Sequence, residues 1–199
     1  MSNTSWDKRY SEEQFAYGNR PNEFFKEQIE KIKPGTALFL GEGEGRNSVY
    51  AATLGWQVDA VDFSTSAKEK ALRLAEENKV KINYTVADLE SYQFLKSKYD
   101  VVVMIFLHLP KELNIKIFSN AISALKSGGK LIIETFSKNQ INNSSGGPKD
   151  PELLFSEEEL SKLTQGLNRI LFESKTIILD EGLYHKGKAD VIRFVGEKV

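Results

Sequence analysis

The sequence predicts an α/β fold in which a mostly parallel sheet carries helices on both faces. Short apolar runs alternate with longer amphipathic stretches through most of the chain, as in repeated strand–helix units. The 199 residues, of which 40% are hydrophobic and 28% charged, suit one globular domain. Because crossovers between parallel strands are right-handed, we expect a doubly wound sheet with its ligand crevice at the carboxyl ends of the strands.

Five apolar runs are predicted to form the parallel strands, since buried parallel strands are apolar on both faces. They are residues 36–40, 57–61, 82–86, 101–106 and 130–134. Helices are predicted between them, at residues 46–54, from Ser66 to about Asn78, and at 111–125. Ser66 with Glu69 three residues later predicts a capping box at the start of the second helix.

The last third of the chain predicts a different arrangement. Residues 137–154 are rich in Asn, Ser, Gly and Pro, which predicts a surface loop of a length that is often functional. Ser156 and Glu159 predict a second capping box and a helix. Two extended runs, 170–179 and 189–195, predict an antiparallel pair.

Composition disfavours several classes of function. The net charge is −1 and no run of Lys and Arg is present, which disfavours a nucleic-acid partner. With 0 Cys and 2 His, the chain has no thiolate chemistry and a tight transition-metal site is disfavoured, whereas a carboxylate-bound Mg²⁺ stays open. The start of the chain lacks a secretory signal and no apolar run reaches the ~18 residues of a membrane span, so a cytoplasmic location without a membrane partner is predicted.

A glycine-rich turn is predicted where the first strand meets the first helix. Gly41, Gly43 and Gly45 alternate there, and glycine allows positive φ and the close approach of a ligand. Asp62 follows about 20 residues later at the end of the second strand, the place of the carboxylate that binds ribose hydroxyls in nucleoside-binding βαβ units. Together these features favour a nucleoside site, although a turn without a ligand would have similar spacing.

The charge of this turn distinguishes between nucleoside cofactors. Glu42 and Glu44 would repel a pyrophosphate at the helix N-terminus, and Arg46 stands where the dinucleotide motif has its third glycine. NAD, and with it an NAD-dependent oxidoreductase, is therefore disfavoured. S-adenosylmethionine carries two positive groups and no phosphate, so an acidic turn is compatible with it. The alternative that both glutamates point to water stays open.

The motifs in residues 39–64 resemble the class I S-adenosylmethionine-dependent methyltransferases, in particular the tellurite-resistance (TehB-like) branch. The similarity extends over nearly the whole chain, through Ala87–Leu89, Tyr99–Phe106 and Leu125–Glu134. It implies a Rossmann-like, seven-stranded sheet with an antiparallel last strand, S-adenosylmethionine as cofactor, and methyl transfer to a small molecule. Within one domain, 1–199, the expected parts are an N-terminal lid (1–33), a cofactor-binding core (34–136) and an acceptor side with the antiparallel strands (137–199).

The resemblance also implies the residues that bind the cofactor. Arg9 is expected to pair with the methionine carboxylate and Tyr17 to stack near it, whereas Trp6 and Tyr10 either join this lid or anchor a terminal helix. Asp88 is expected to bind the adenine amino group and the next backbone amide the ring. The full predicted set is Arg9, Tyr17, Gly41, Glu42, Gly43, Gly45, Asp62, Phe63, Asp88, Leu89 and Phe106.

Methyl transfer requires chiefly alignment and the exclusion of water, so a general base is optional. His108, after the fourth strand, and His185, near the last, are the candidate catalytic residues. Other candidates for the acceptor side are Phe136, Tyr184, Lys188 and Arg193. Lys188 and Arg193 either hold an anionic acceptor or are solvated strand charges. A small acceptor is expected, anionic or with a thiol or another chalcogen. A module that binds the cofactor without catalysis is the second hypothesis.

Overall fold

In the computed structural model, which describes residues 3–199, seven strands form one sheet in the order β3-β2-β1-β4-β5-β7-β6. The strands are β1 (Thr36–Leu40), β2 (Gln57–Asp62), β3 (Asn83–Val86), β4 (Tyr99–Ile105), β5 (Leu125–Phe136), β6 (Leu167–Glu181) and β7 (His185–Lys198). β1 to β5 are parallel neighbours, and β7 runs antiparallel to both β5 and β6. The predicted doubly wound α/β sheet with an antiparallel last strand is confirmed.

Helices cover both faces of this sheet. They are α1 (Asn3–Tyr10), α2 (Glu23–Ile29), α3 (Arg46–Thr53), α4 (Thr65–Glu77), α5 (Lys111–Ala124) and α6 (Glu157–Leu163). Apolar residues of α2, α3 and α4 pack on one face, around Phe39 and Val103. Those of α5 and α6 pack on the other, around Leu38 and Val102. Neighbouring residues of one strand thus pack into the cores on opposite faces of the sheet, which explains why these strands are apolar throughout.

The boundaries differ from the prediction where local chemistry competes with the pattern. The capping box predicted for Ser66 and Glu69 is wrong, because α4 begins earlier: Ser64 is its N-cap, and the Ser64 hydroxyl accepts a hydrogen bond from the backbone N–H of Ala67. The capping box of Ser156 and Glu159 is present as predicted. Residues 137–154 contain two short 3₁₀ helices, Lys138–Asn142 and Pro151–Leu153.

The order of the strands places the glycine-rich turn. Strand order reverses between β1 and β4, and at such a switch point the loops after the two strands separate and leave a crevice. The turn at 41–45 follows β1 and the segment 106–110 follows β4, so the two face each other across that crevice. Over residues 3–199 no helix is both long enough and apolar enough to span a bilayer; the cytoplasmic location stays a prediction.

Candidate functional site

Hydrogen bonds to β2 and β3 hold the glycine-rich turn in place. The backbone N–H of Gly41 donates to the Val61 carbonyl over 2.9 Å. The N–H of Gly43 donates to Asp62 Oδ2 over 3.0 Å, and its carbonyl accepts from the Tyr84 hydroxyl over 2.6 Å. Gly43 has φ +62°, and a Cβ there would lie 2.9 Å from the Tyr10 hydroxyl. The turn therefore needs glycine at this position and is fixed before any ligand binds.

Glu42 occupies the N-terminus of α3. Its Oε1 accepts hydrogen bonds from the backbone N–H groups of Asn47 (3.1 Å) and Ser48 (2.7 Å). Burial raises the pKa of Glu42 to about 7, although these N–H groups and the charge of Arg46 favour the ionised form. A pyrophosphate would need the same N–H groups. The position of Glu42 thus gives a structural reason for the exclusion of a dinucleotide.

Glu44 points away from solvent and forms a buried ion pair. Its Oε1 lies 2.7 Å from Lys70 Nζ, and its Oε2 accepts from the backbone N–H of Ala16 over 2.7 Å. The Lys70 ammonium also donates to the Gln14 carbonyl. Of the two alternatives left open by the sequence, glutamates that point to water are therefore wrong, and Lys70 neutralises one of the two charges.

Gly45 serves packing rather than ligand contact. It is the N-cap of α3 with φ +88°, and a Cβ there would lie 2.6 Å from the Ala71 side chain of α4. It lines neither of the two cavities that meet at the turn. Its predicted contact with the cofactor is therefore not supported by the geometry.

Two cavities lie on either side of the turn. The first, named here the Asp62 cavity, has a volume of about 290 Å³. The second, the His185 cavity, has about 130 Å³. Both are lined by Trp6, Tyr10, Gly41, Phe106 and His108. They therefore form two chambers of one crevice.

The Asp62 cavity gathers the residues predicted to bind adenosine. Phe63, Asp88 and Leu89 line it together with Asp62. Asp62 is 5% exposed, and its carboxylate accepts from the N–H groups of Gly43 and Ser64, both over 3.0 Å. Burial raises the pKa of Asp62. A carboxylate has about four lone-pair positions, so two stay available for hydroxyl donors.

The N-terminal aromatic residues cover the His185 cavity. The Arg9 guanidinium lies 4.7 Å from the ring centroid of Trp6 and 4.3 Å from that of Tyr184. It also donates to the Tyr17 hydroxyl over 2.8 Å. Arg9 and Tyr17 both line the cavity, and their contact with the methionine part of the cofactor stays a prediction. Trp6 lies in the cavity wall as well, so it does more than anchor a helix.

The rings of Phe106, His108 and His185 form the opposite wall, and the buried Phe136 packs behind them. The Phe106 ring stacks on Phe136 with centroids 4.5 Å apart, and His108 stacks on the same ring at 5.6 Å with an interplanar angle of 8°. The His185 ring lies 4.7 Å from Phe106, edge to face. Phe106 has φ +51°, a left-handed conformation that is strained for a bulky residue and recurs at functional sites.

His108 presents an unpartnered nitrogen. Its Nδ1 lies 3.2 Å from the Leu153 carbonyl, which can only accept, so Nδ1 carries the proton. Nε2 is buried and has no hydrogen-bond partner among the described residues. Burial lowers the pKa of His108 to about 4, so the imidazole is neutral near pH 7 with a free lone pair on Nε2.

His185 is held by a carboxylate. Its Nδ1 lies 3.1 Å from Glu181 Oε2, which also pairs with Arg46 at 3.0 Å. Burial lowers the pKa of His185 despite this carboxylate. A Cβ on Gly146 would lie 2.6 Å from the His185 ring, so the loop passes against the histidine. Both candidate histidines therefore face the crevice in neutral form.

Two predicted residues lie elsewhere. Lys188 is exposed, and Arg193 pairs with the buried Glu134 at 2.6 Å; neither lines the His185 cavity. Arg193 lines a separate cavity beside Tyr17 and Glu134, and Lys188 lies on the opposite face of β7, so a role of either residue in holding an anionic acceptor stays a prediction. The sequence reasoning missed Glu181, Tyr84 and the loop residues 146–148. Only the unusual length of the loop indicated a function.

Comparisons with known proteins agree with this geometry. Residues 37–129 match the family model described as a methyltransferase domain. Phosphoethanolamine N-methyltransferase 2 of Caenorhabditis elegans is 35% identical over 112 residues, covering 54% of this chain and 25% of that protein. A ubiquinone biosynthesis O-methyltransferase of Coxiella burnetii is 30% identical over 118 residues, covering 58% of this chain and 49% of that protein. The chain thus spans about half, or less, of the length of these relatives.

The solved structure of TehB from Haemophilus influenzae superposes with a TM-score of 0.74 at 20% identity, covering 98% of this chain and 66% of that one. The sheet order, the crevice and the matched segment together define a methyltransferase domain of class I. The predicted resemblance to the class I methyltransferases is confirmed: residues 37–129, just under half of the chain, match a methyltransferase domain, and TehB is among the structures that share its fold.

Proposed function

We propose that this protein transfers the methyl group of S-adenosylmethionine to a small acceptor molecule in the His185 cavity. The observation that carries the proposal is the position of the turn, between a chamber with a buried carboxylate and a chamber walled by aromatic rings and two neutral histidines. Such a pair of chambers fits a cofactor that spans the turn and presents its reactive group to the second chamber.

The residues present fit S-adenosylmethionine. Asp62 would accept from the ribose hydroxyls, and Asp88 with the Leu89 backbone would bind the adenine. Arg9 would pair with the methionine carboxylate, and the Glu42 carboxylate would face the cationic end. The helix N-terminus that a phosphate would need is already occupied by Glu42. The bound cofactor would supply a methyl group activated by its positive sulfur.

The tautomer of His108 constrains the acceptor. Nε2 offers a lone pair and no proton, so it attracts a group that donates a hydrogen bond and repels an anion. A neutral thiol or hydroxyl compound meets this condition, and His108 then accepts the proton that the heteroatom loses as it is methylated. The stacked ring of Phe136 keeps the imidazole plane fixed. His185, oriented by Glu181, forms the neighbouring wall and aligns the acceptor.

A turnover assay tests the proposal. The panel contains small thiols, phenols and other hydroxyl compounds, phosphoethanolamine, small carboxylates, selenite and tellurite, with S-adenosylhomocysteine as the measured product. We expect neutral thiol or hydroxyl compounds to be methylated and His108→Gln to lower kcat by ~10²-fold or more, in the range of a lost general base. Turnover of tellurite or selenite would connect the chain to the resistance function of the TehB-like branch.

The same assay separates the catalytic role from a purely binding one. Tight binding of S-adenosylmethionine with no turnover on the whole panel would favour a regulatory module. Binding of NAD(H) in place of S-adenosylhomocysteine, measured by thermal shift, would contradict the proposed cofactor and with it the whole proposal. Undiminished kcat in His108→Gln would refute the assigned base and leave the methyltransferase activity standing.

A further inference from the structure

β6 forms a long unpaired edge of the sheet. It spans 15 residues and is hydrogen-bonded to β7 on one side only, whereas β3 at the opposite edge has 4 residues. α6 approaches its beginning, where Arg169 donates to the Ser161 hydroxyl. The segment 16–18 approaches its end, where Gly18 lies against Gly182. Among the described residues, the stretch between these two contacts has backbone partners in β7 alone.

This edge also exposes apolar side chains. Ile178 is 76% exposed and Ile170 is 53% exposed, in a strand whose outer N–H and C=O groups have no partner strand. Natural proteins usually protect such an edge with a short strand, a proline, a bulge, charged side chains or a cover, because it is a template for pairing with another chain. The one bulge of β6 lies at its beginning, between Arg169 and Leu171. β6 contains no proline. Its charged side chains, instead of repelling a second copy, complement it.

We propose that β6 pairs antiparallel with β6 of a second copy of this chain, about a two-fold axis at Ser174. In this register Glu173 lies opposite the partner's Lys175, and Lys175 opposite the partner's Glu173. Ile178 comes close to the partner's Ile170, the residue of the β-bulge between Arg169 and Leu171, so the exposed apolar residues also meet. A two-fold axis repeats each contact, as is usual for homodimers. The two sheets become one continuous sheet of both chains.

Other registers are less favourable. Only every second residue of a strand points its N–H and C=O groups outward. In an antiparallel pair of identical strands, these residues face each other only when the two-fold axis passes through a residue and not between two residues. Moving the axis to Glu173 sets two carboxylates opposite each other, and moving it to Lys175 sets two ammonium groups opposite each other. Like charges directly opposite are destabilising. Within one chain, Glu173 and Lys175 lie 3.4 Å apart with side chains 41% and 43% exposed, so both are accessible to a partner.

Sedimentation of the full-length protein, between about 1 and 100 µM, tests the pairing. We expect a monomer–dimer equilibrium in the unmodified protein. In a dimer of Lys175→Glu, a carboxylate lies opposite a carboxylate at both 173–175 contacts. In a dimer of Glu173→Lys, an ammonium group lies opposite an ammonium group at both contacts. Each variant alone should dimerise at least tenfold more weakly. An equimolar mixture of the two restores opposite charges at both contacts, so we expect the mixture to form heterodimers about as tightly as the unmodified protein dimerises.

Ile178→Lys supplies a second, independent disruption at the same edge and should also weaken the dimer at least tenfold. Circular dichroism and thermal melts of each variant report whether the fold is intact, and restoration in the mixture itself shows that both variants fold. A protein that stays monomeric throughout this range would overturn the proposal. A dimer that is unaffected by Lys175→Glu, or single variants that do not recover on mixing, would also overturn it.

Discussion

Glu42 connects the proton concentration to cofactor binding. Its pKa is raised to about 7 by burial, so the carboxyl group titrates within the physiological range. Its Oε1 caps α3, and among the described residues its Oε2 accepts no hydrogen bond, so that oxygen is available for a positive group in the His185 cavity. A cationic ligand stabilises the ionised form. Binding of S-adenosylmethionine should therefore release protons from Glu42.

The size of the effect follows from the ionised fraction. With a pKa of about 7, roughly a tenth of Glu42 is ionised at pH 6 and roughly nine tenths at pH 8, and the apparent affinity scales with the binding-competent fraction. The Kd for S-adenosylmethionine should therefore fall about tenfold from pH 6 to pH 8, equivalent to ~1.4 kcal/mol. At pH 7 about half a proton should be released per cofactor bound.

Isothermal titration calorimetry over this pH range, in buffers with different enthalpies of ionisation, measures both quantities. Glu42→Gln is the matched control, because its amide oxygen still accepts from the N–H groups of Asn47 and Ser48 and the side chain does not titrate. We expect a flat Kd and no proton release in this variant. An equally steep pH dependence in both proteins, or a flat profile in the unmodified one, would refute the coupling.

Three further predictions concern stability and the acceptor side. The pKa of His108 is about 4 in the folded chain and 6.5 for a free histidine, so the unfolded chain binds more protons below pH 6.5. The free energy of unfolding should therefore fall by about 2 kcal/mol between pH 7 and pH 5, relative to His108→Gln, as measured by urea denaturation. Gly146→Ala should push into His185 and lower methyl transfer while S-adenosylhomocysteine affinity, measured by calorimetry, stays within about twofold. An equal loss of both would contradict it. Lys70→Met should lower the free energy of unfolding by ~3–5 kcal/mol, because Glu44 stays buried without its partner, and adding Glu44→Gln should recover most of the loss in the same urea experiment. Additive losses in that pair would count against the buried ion pair.

The sequence was informative about the sheet because buried parallel strands leave a strong local signal. The apolar runs of β1, β2 and β4 needed no tertiary information, and Gly41 with Asp62 marked the switch point before any strand order was available. β6 and β7 were predicted too short, since they alternate between exposed and buried positions over 14 or more residues and their ends carry charged side chains.

The details of the site depended on tertiary contacts. Glu44 looked like part of a ligand turn, and only the fold shows that Lys70 and Ala16 take its carboxylate. Glu181 lies 135 residues from Arg46 in sequence, so no spacing rule joins them. Lys188 and Arg193 were correctly placed on the last strand, but the buried partner of Arg193, Glu134, is set by the pairing of β7 with β5 and has no signal in the sequence.

The anchoring of residues 14–16 determines how the crevice can open. The Lys70 ammonium donates a hydrogen bond to the Gln14 carbonyl, and the Glu44 carboxylate accepts one from the Ala16 amide. This part of the N-terminal segment is therefore bound to the glycine-rich turn. A rotation of the whole N-terminal segment about residue 33 would break these two hydrogen bonds. Movement of α1 about a hinge just before Gln14 leaves this anchor in place and breaks the hydrogen bonds that Asp7 accepts from Ser64 and Ser66, and Trp6 and Arg9 move with the helix.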